Sequence, residues 1–192
     1  SGMLPLLSKR GFRGNVFATP ATRDLAGIIM MDSARIQARD AEYLAKQAAK
    51  RGEPFTWKPL YDEQDAVQAV GQFVTVSYNR PLSAGDGVRI EFFDAGHILG
   101  SSMIVAEAKD SGGRSATIAF TGDLGRKGKP IIRDPDRIPP VEWMVLEATY
   151  GDRLHEAQDE ALEKLARVVR ETAAKGGKVV IPAFAIERTQ EL

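Results

Sequence analysis

The stretch that most constrains this chain runs from Phe92 to Arg126. It reads FFDAGHILGSS, then an alternating apolar run, a polar turn at DSGGR, and TIAFTGDLGR. The alternation predicts strands at Met103 to Ala108 and Ser115 to Phe120, with Asp110 to Arg114 as the turn between them. A chain that runs down one strand and back along the next returns to the end it left. His97, ahead of the first strand, and Asp123, behind the second, should therefore share one rim. An imidazole and a carboxylate on Gly-flanked loops make half of a hydrolytic metal site.

The rest of the chain must build a sheet around that pair. Its 192 residues suffice for one domain with a core, or one and a fraction. An apolar share of 43% and a charged share of 27% are ordinary for a globular protein. Acidic and basic residues balance at 26 each, so net charge argues neither for nucleic acid nor against it. Any basic binding surface has to be a local patch. The absence of cysteine excludes disulfides and Cys-ligated zinc. No apolar run reaches bilayer length and the start carries no signal-peptide pattern, so the expected setting is the cytoplasm without membrane contact. Both ends look abrupt, which suggests a piece of a larger protein.

Taken in order, Leu4 to Arg10 suits a short helix and Asn15 to Ala18 a short strand. Thr19-Pro20 is a strong helix start. It predicts a helix to about Ser33, with Leu25, Ile28, Ile29 and Asp32 on one face. A second helix is expected from Gln37 to Lys50, closed at Arg51-Gly52. Glu53 to Leu60 is a loop. Asp62, with Asp65 three residues on, starts a third helix to about Gly71. Phe73 to Ser77 suits a strand, Asn79 to Gly87 a turn region, and Val88 to Phe93 another strand. Lys127 to Pro140, rich in proline and charge, is an extended loop. Glu142 to Glu147 reads as a strand with a buried centre, His155 to Lys175 as an amphipathic helix, and Lys178 to Pro182 as a short buried strand. The expected class is α/β or α+β, with flanking helices and strands that mostly pair with sequence neighbours. Neither GxGxxG nor a P-loop is present.

Each candidate residue has a plain structural reading beside the chemical one. A lone His such as His97 is more often structural than a ligand. Asp123 can be a turn residue bonding the backbone. Glu147, at the end of an apolar strand, can be a cap. His155, at a helix start, is by default a cap or a surface residue. Arg126, Lys127 and Lys129 form a basic cluster that is either a solvated loop or a phosphate contact. Ser101 and Arg126 are the candidate substrate contacts. Three polar residues at successive strand exits say more than any one of them, because layered α/β enzymes place their groups there. Even so, zinc needs three or more protein ligands.

At these residues the chain resembles the metallo-β-lactamase fold, and more narrowly its RNA-processing β-CASP branch. The resemblance rests on DAGHILGSS, TGDLGR, LEATYGDRLH and IPAFAIERTQEL, supported by LPLLSKRGFRG, ATPATRDLAGIIMMDSARIQ and YDEQDA. It implies a partial αββα sandwich over residues 1–182, with 183–192 opening the β-CASP insert. It implies that His97 ligates metal, that Asp123 bridges two zinc ions, and that Glu147 pairs with a histidine serving as general acid. The family's HxHxDH cluster and its two later histidines do not occur in this sequence. The implied activity is zinc-dependent hydrolysis of RNA by a parent protein, with this piece inactive alone. The alternatives are a metallo-hydrolase of a small ester, thioester or lactam, and a non-catalytic scaffold binding RNA or protein. Apolar edges make a homo-oligomer a further expected state.

Overall fold

In a computed structural model the described residues are 2–129, 131–153, 158–184, 186 and 189; for 158 and 159 only the backbone is considered. The chain divides into two units, Ser1–Val145 and Leu146–Leu192, and each is described by itself.

The first unit opens with helix α1, Leu4–Lys9, and strand β1, Val16–Ala18. Helix α2 follows as Pro20–Arg51. Thr19 caps it, its side chain accepting from Thr22 N at 3.2 Å, and Gly52 closes it at φ 67°. The two helices expected between Pro20 and Lys50 are therefore one. Ala34, Arg35 and Ile36 lie in the supposed gap, and none of them breaks a helix. The buried face also differs from the expected one. It is the i, i+4 row of Ala26, Met30 and Ala34, while Ile28 and Ile29 are exposed. Helix α3, Glu63–Gly71, packs on that row through Ala66 and Ala69. Alanine facing alanine lets two helices approach closely, but it carries little weight in a hydrophobic pattern. The expected capping box is present: Asp65 N donates to Asp62 Oδ1 at 2.9 Å, and Asp62 N to Asp65 Oδ2 at 3.0 Å. Strand β2, Phe73–Thr75, then pairs parallel with β1.

A five-stranded sheet completes the unit. Its strands are β3 Leu82–Gly85, β4 Val88–Asp94, β5 Ser102–Lys109, β6 Ser115–Phe120 and β7 Trp143–Val145, in that spatial order. Pairing is antiparallel from β3 to β6 and parallel between β6 and β7. Strand β3 falls within the expected turn region. It is short, poor in apolar residues and irregular between Ser83 and Gly85, so little in its sequence marks it. Strand β7 is shorter than expected and its centre is not buried: Met144 is 51% exposed on this strand, an edge of the sheet among the described residues.

In the second unit the described helix is α4, Gln158–Ala174. The expected start at His155 lies outside the described residues. Lys178 to Pro182 forms no strand, and Val180 is 87% exposed rather than buried. An apolar run becomes a strand only where another strand accepts its backbone bonds. Among the described residues no helix is long and apolar enough to cross a membrane. The mixed helices and sheets are those of a partial metallo-β-lactamase-like fold.

Candidate metal centre

The sheet register fixes where His97 and Asp123 emerge. Asp94, the last residue of β4, pairs with Ser102, the first of β5, so 95–101 is a rim loop. Phe120, the last residue of β6, pairs with Ile104 and with Val145, so β6 and β7 end at the same rim. His97 Nε2 lies 4.0 Å from Asp123 Oδ2. The two side chains are 39% and 75% exposed, so both are open to solvent.

Below the rim, Phe93, Ala95 and Met103 form a buried cluster against which Leu124 and Ile138 pack. Leu124 thus anchors the chain one residue after Asp123. Gly125 ties the two loops together. Its N–H donates to Ala95 O at 2.8 Å. A Cβ at this glycine would overlap the Gly96 carbonyl and lie 2.6 Å from His97 N. The absence of a side chain there lets the Asp123 loop lie directly on the Gly96–His97 peptide.

The His97 loop is held on its other sides too. Asp94 Oδ1 accepts from Gly96 N at 2.8 Å. Ser101 Oγ accepts from His97 N at 3.1 Å and Ile98 N at 3.3 Å, so this candidate substrate contact also shapes the loop. Tyr78 OH donates to Ser101 O at 2.9 Å. Burial, and then the nearby Asp94 charge, push that phenol up to about 12. Thr22 Oγ1 donates to Gly100 O at 2.7 Å, and Thr19 Oγ1 lies 2.8 Å from the same oxygen. Gly100, at φ 86°, leaves room for this: a Cβ there would sit 2.7 Å from Thr22 N. The N-terminus of α2 is thereby docked on the His97 loop. Asp136, from the long loop, closes the last side. Its Oδ2 accepts from Asp94 N and its N–H donates to Asp94 O, both at 2.9 Å.

Sequence reasoning missed these supports. The Thr19-Pro20 helix start was visible as a local feature but not as a neighbour of His97. Asp136 gives no local signal at all. Of the remaining candidates, Arg126 is exposed, three residues beyond Asp123. Glu147 belongs to the second unit, where its Oε2 accepts from Thr149 N at 3.1 Å. His155 lies outside the described residues.

Imidazole nitrogen and carboxylate oxygen are the donors a divalent zinc-like ion prefers. Two donors at about 2.0–2.1 Å from one tetrahedral ion lie roughly 3.3–3.4 Å apart. His97 Nε2 and Asp123 Oδ2 are 4.0 Å apart, so these exposed side chains would have to close by roughly 0.6 Å to share an ion. The pair fills only part of a coordination shell. Among the described residues no group of three or more His, Cys, Asp or Glu is placed to hold a metal.

The mixed sheet with its packed helices is consistent with a partial metallo-β-lactamase-like fold. No family model matches the chain. Curated relatives do; they are RNA nucleases of the β-CASP metallo-β-lactamase family, and the chain matches them in part. It is 33% identical over 191 residues to ribonuclease TTHA0252 of Thermus thermophilus, covering 100% of this chain and 38% of that protein. It is 32% identical over 199 residues to transcription termination factor FttA of Thermococcus kodakarensis, covering 100% of this chain and 28% of that factor. Endoribonuclease YSH1 of Candida glabrata is 28% identical over 188 residues, covering 97% of this chain and 22% of that enzyme. The chain thus spans well under half the length of these relatives. The nucleases of this family are metal-dependent.

Proposed function

We propose that this chain is the part of a zinc-dependent RNA hydrolase that supplies His97 and Asp123 to the metal site. The observation that carries the reading is the 4.0 Å approach of His97 Nε2 to Asp123 Oδ2. These residues come from two loops that Gly125 holds in contact. The names of the relatives, a ribonuclease and an endoribonuclease among them, support RNA as the substrate. The activity is proposed for a protein of the relatives' length, since the chain spans 38% of one and 28% of another. The same reading takes residues 1–182 as metallo-β-lactamase domain, 183–192 as the opening of the β-CASP insert, and the cytoplasm as the setting.

The metal, when bound, supplies Lewis acidity at the phosphoryl oxygen and an activated water. The roles of this chain's residues follow from their surroundings. His97 offers Nε2 to the metal from a loop whose backbone is fixed by Asp94, Ser101 and Asp136. Asp123 would offer a carboxylate oxygen to the metal from a side chain that is 75% exposed. To Glu147 we assign, on the family resemblance alone, the carboxylate that orients a proton donor toward the leaving oxygen.

Asp123→Ala in the complete protein is the test. Metal-dependent cleavage of a labelled single-stranded RNA should fall at least 100-fold, the usual scale for losing a metal ligand or its close support. Circular dichroism and melting temperature should stay unchanged. Wild-type turnover in that variant would reject the metal role of Asp123.

A further inference from the structure

The chain's charge is balanced, yet the loop that follows Asp123 is not. Residues 126–137 read RKGKPIIRDPDR, five cations against two carboxylates, in a chain whose net charge is 0. Both carboxylates are occupied by backbone donors. Asp134 Oδ1 accepts from Gly128 N at 2.7 Å, and Asp136 Oδ2 accepts from Asp94 N at 2.9 Å. Their charges remain, and the segment still carries a net +3. Arg126, Lys127, Arg133 and Arg137 are exposed, and among the described residues none of them is in an ion pair.

The loop begins and ends on the His97 loop. Gly125 lies on the Gly96–His97 peptide, and a Cβ at Gly96 would meet Pro135 N at 2.6 Å and Arg133 O at 2.9 Å. Gly128 and Asp134 then pinch the loop together. Arg126 leaves the rim one residue after the first contact with the His97 loop. Arg133 supplies the second contact through its own carbonyl, and Arg137 follows the Asp136 clasp to Asp94. A compact loop with both feet at a candidate site is a common carrier of binding groups.

We propose that Arg126, Lys127, Arg133 and Arg137 form a phosphate-binding strip that holds single-stranded RNA beside the His97–Asp123 rim. This rests on the RNA-hydrolase reading for its ligand. The strip contacts sugar-phosphate backbone and so positions RNA without reading its sequence. Flexible cations that meet phosphates release counterions, which makes the binding salt-dependent.

The test is fluorescence anisotropy of labelled single-stranded oligoribonucleotides with this chain in EDTA, so that binding is read without cleavage. The variant is Arg126→Glu/Arg133→Glu/Arg137→Glu. The control is Arg39→Glu/Lys46→Glu on α2, which reverses charge away from the rim. The strip variant should weaken binding at low salt at least tenfold, and equally for different homopolymers. Its slope of log affinity against log salt should flatten by roughly 0.7 for each phosphate that the strip no longer neutralises. The control should change binding less than threefold. An unchanged affinity, an equal loss in the control, or losses that depend on base would each overturn the strip. Melting curves of both variants must match wild type; if the triple variant melts early, Arg133→Gln alone is read against Lys46→Gln by the same criteria. The two readings part cleanly. RNA bound through the strip with no metal-dependent cleavage in the complete protein sinks the hydrolase. Cleavage with the strip variant binding normally sinks the strip.

Discussion

Tyr78 supports the His97 loop at one remove. Its hydroxyl holds Ser101 O, and Ser101 Oγ holds the His97 N–H. The phenol's ordinary value of 10.0 is raised to about 12, first by burial and then by Asp94. A folded value above the unfolded one means that the folded state keeps the proton longer. This residue's contribution is therefore constant below about pH 10 and declines as pH rises from 10 toward 12. Tyr78→Phe should lose about 1 kcal/mol at neutral pH, the usual net worth of one hydrogen bond. It should also flatten the alkaline decline relative to wild type. Urea denaturation at pH 7, 10 and 11 gives both numbers. Parallel wild-type and variant curves above pH 10 would show that Tyr78 ionises as freely folded as unfolded. Nothing at residue level in the sequence marks this tyrosine, because its partners lie on a loop more than twenty residues away.

At the scale of elements, the parts legible in the sequence were those with local causes. The β5–β6 pair and its Asp110 turn follow from alternation and a DSGG turn, and the Asp62–Asp65 box from capping chemistry. Where tertiary partners decide, the pattern misleads. The Ala26–Met30–Ala34 stripe is chosen by the alanines of α3, and Lys178 to Pro182 has the composition of a strand without a described partner strand. Half of the proposed site was legible for the same reason. Antiparallel return brings two loops to one rim, but the contact that fixes their spacing is a glycine meeting a peptide bond. Gly125→Ala tests that contact. A methyl group there has no room beside Gly96, so one loop must lift. Overpacking of this kind costs about 1–3 kcal/mol. Chemical denaturation should report that loss, and amide exchange should show it confined to the rim, with the β4–β6 ladder still protected. Unchanged stability together with unchanged exchange at 95–101 would mean that the loops are not held by this approach.

At the scale of the whole molecule the question is what one imidazole and one carboxylate can hold. Complete four-ligand zinc sites bind with apparent free energies of about 10–16 kcal/mol. His97 and Asp123 offer two donors, and no described group of three stands beside them. A half-filled shell should stay below about 8 kcal/mol, a Kd no tighter than roughly 1 μM. Isothermal titration of zinc into this chain measures it directly. His97→Ala and Asp123→Ala should each abolish the heat, since one remaining donor competes poorly with water. Nanomolar binding would require further donors from the second unit or from residues outside the described set, Glu147 and His155 being the first to mutate. Weak binding that survives both substitutions would place the ion elsewhere and remove the rim from the metal site. Stoichiometry separates these outcomes from a full two-ion centre. Two zinc ions held tightly by 192 residues would show that the coordination shell is built within this chain, and that the proposed dependence on a protein of the relatives' length is mistaken.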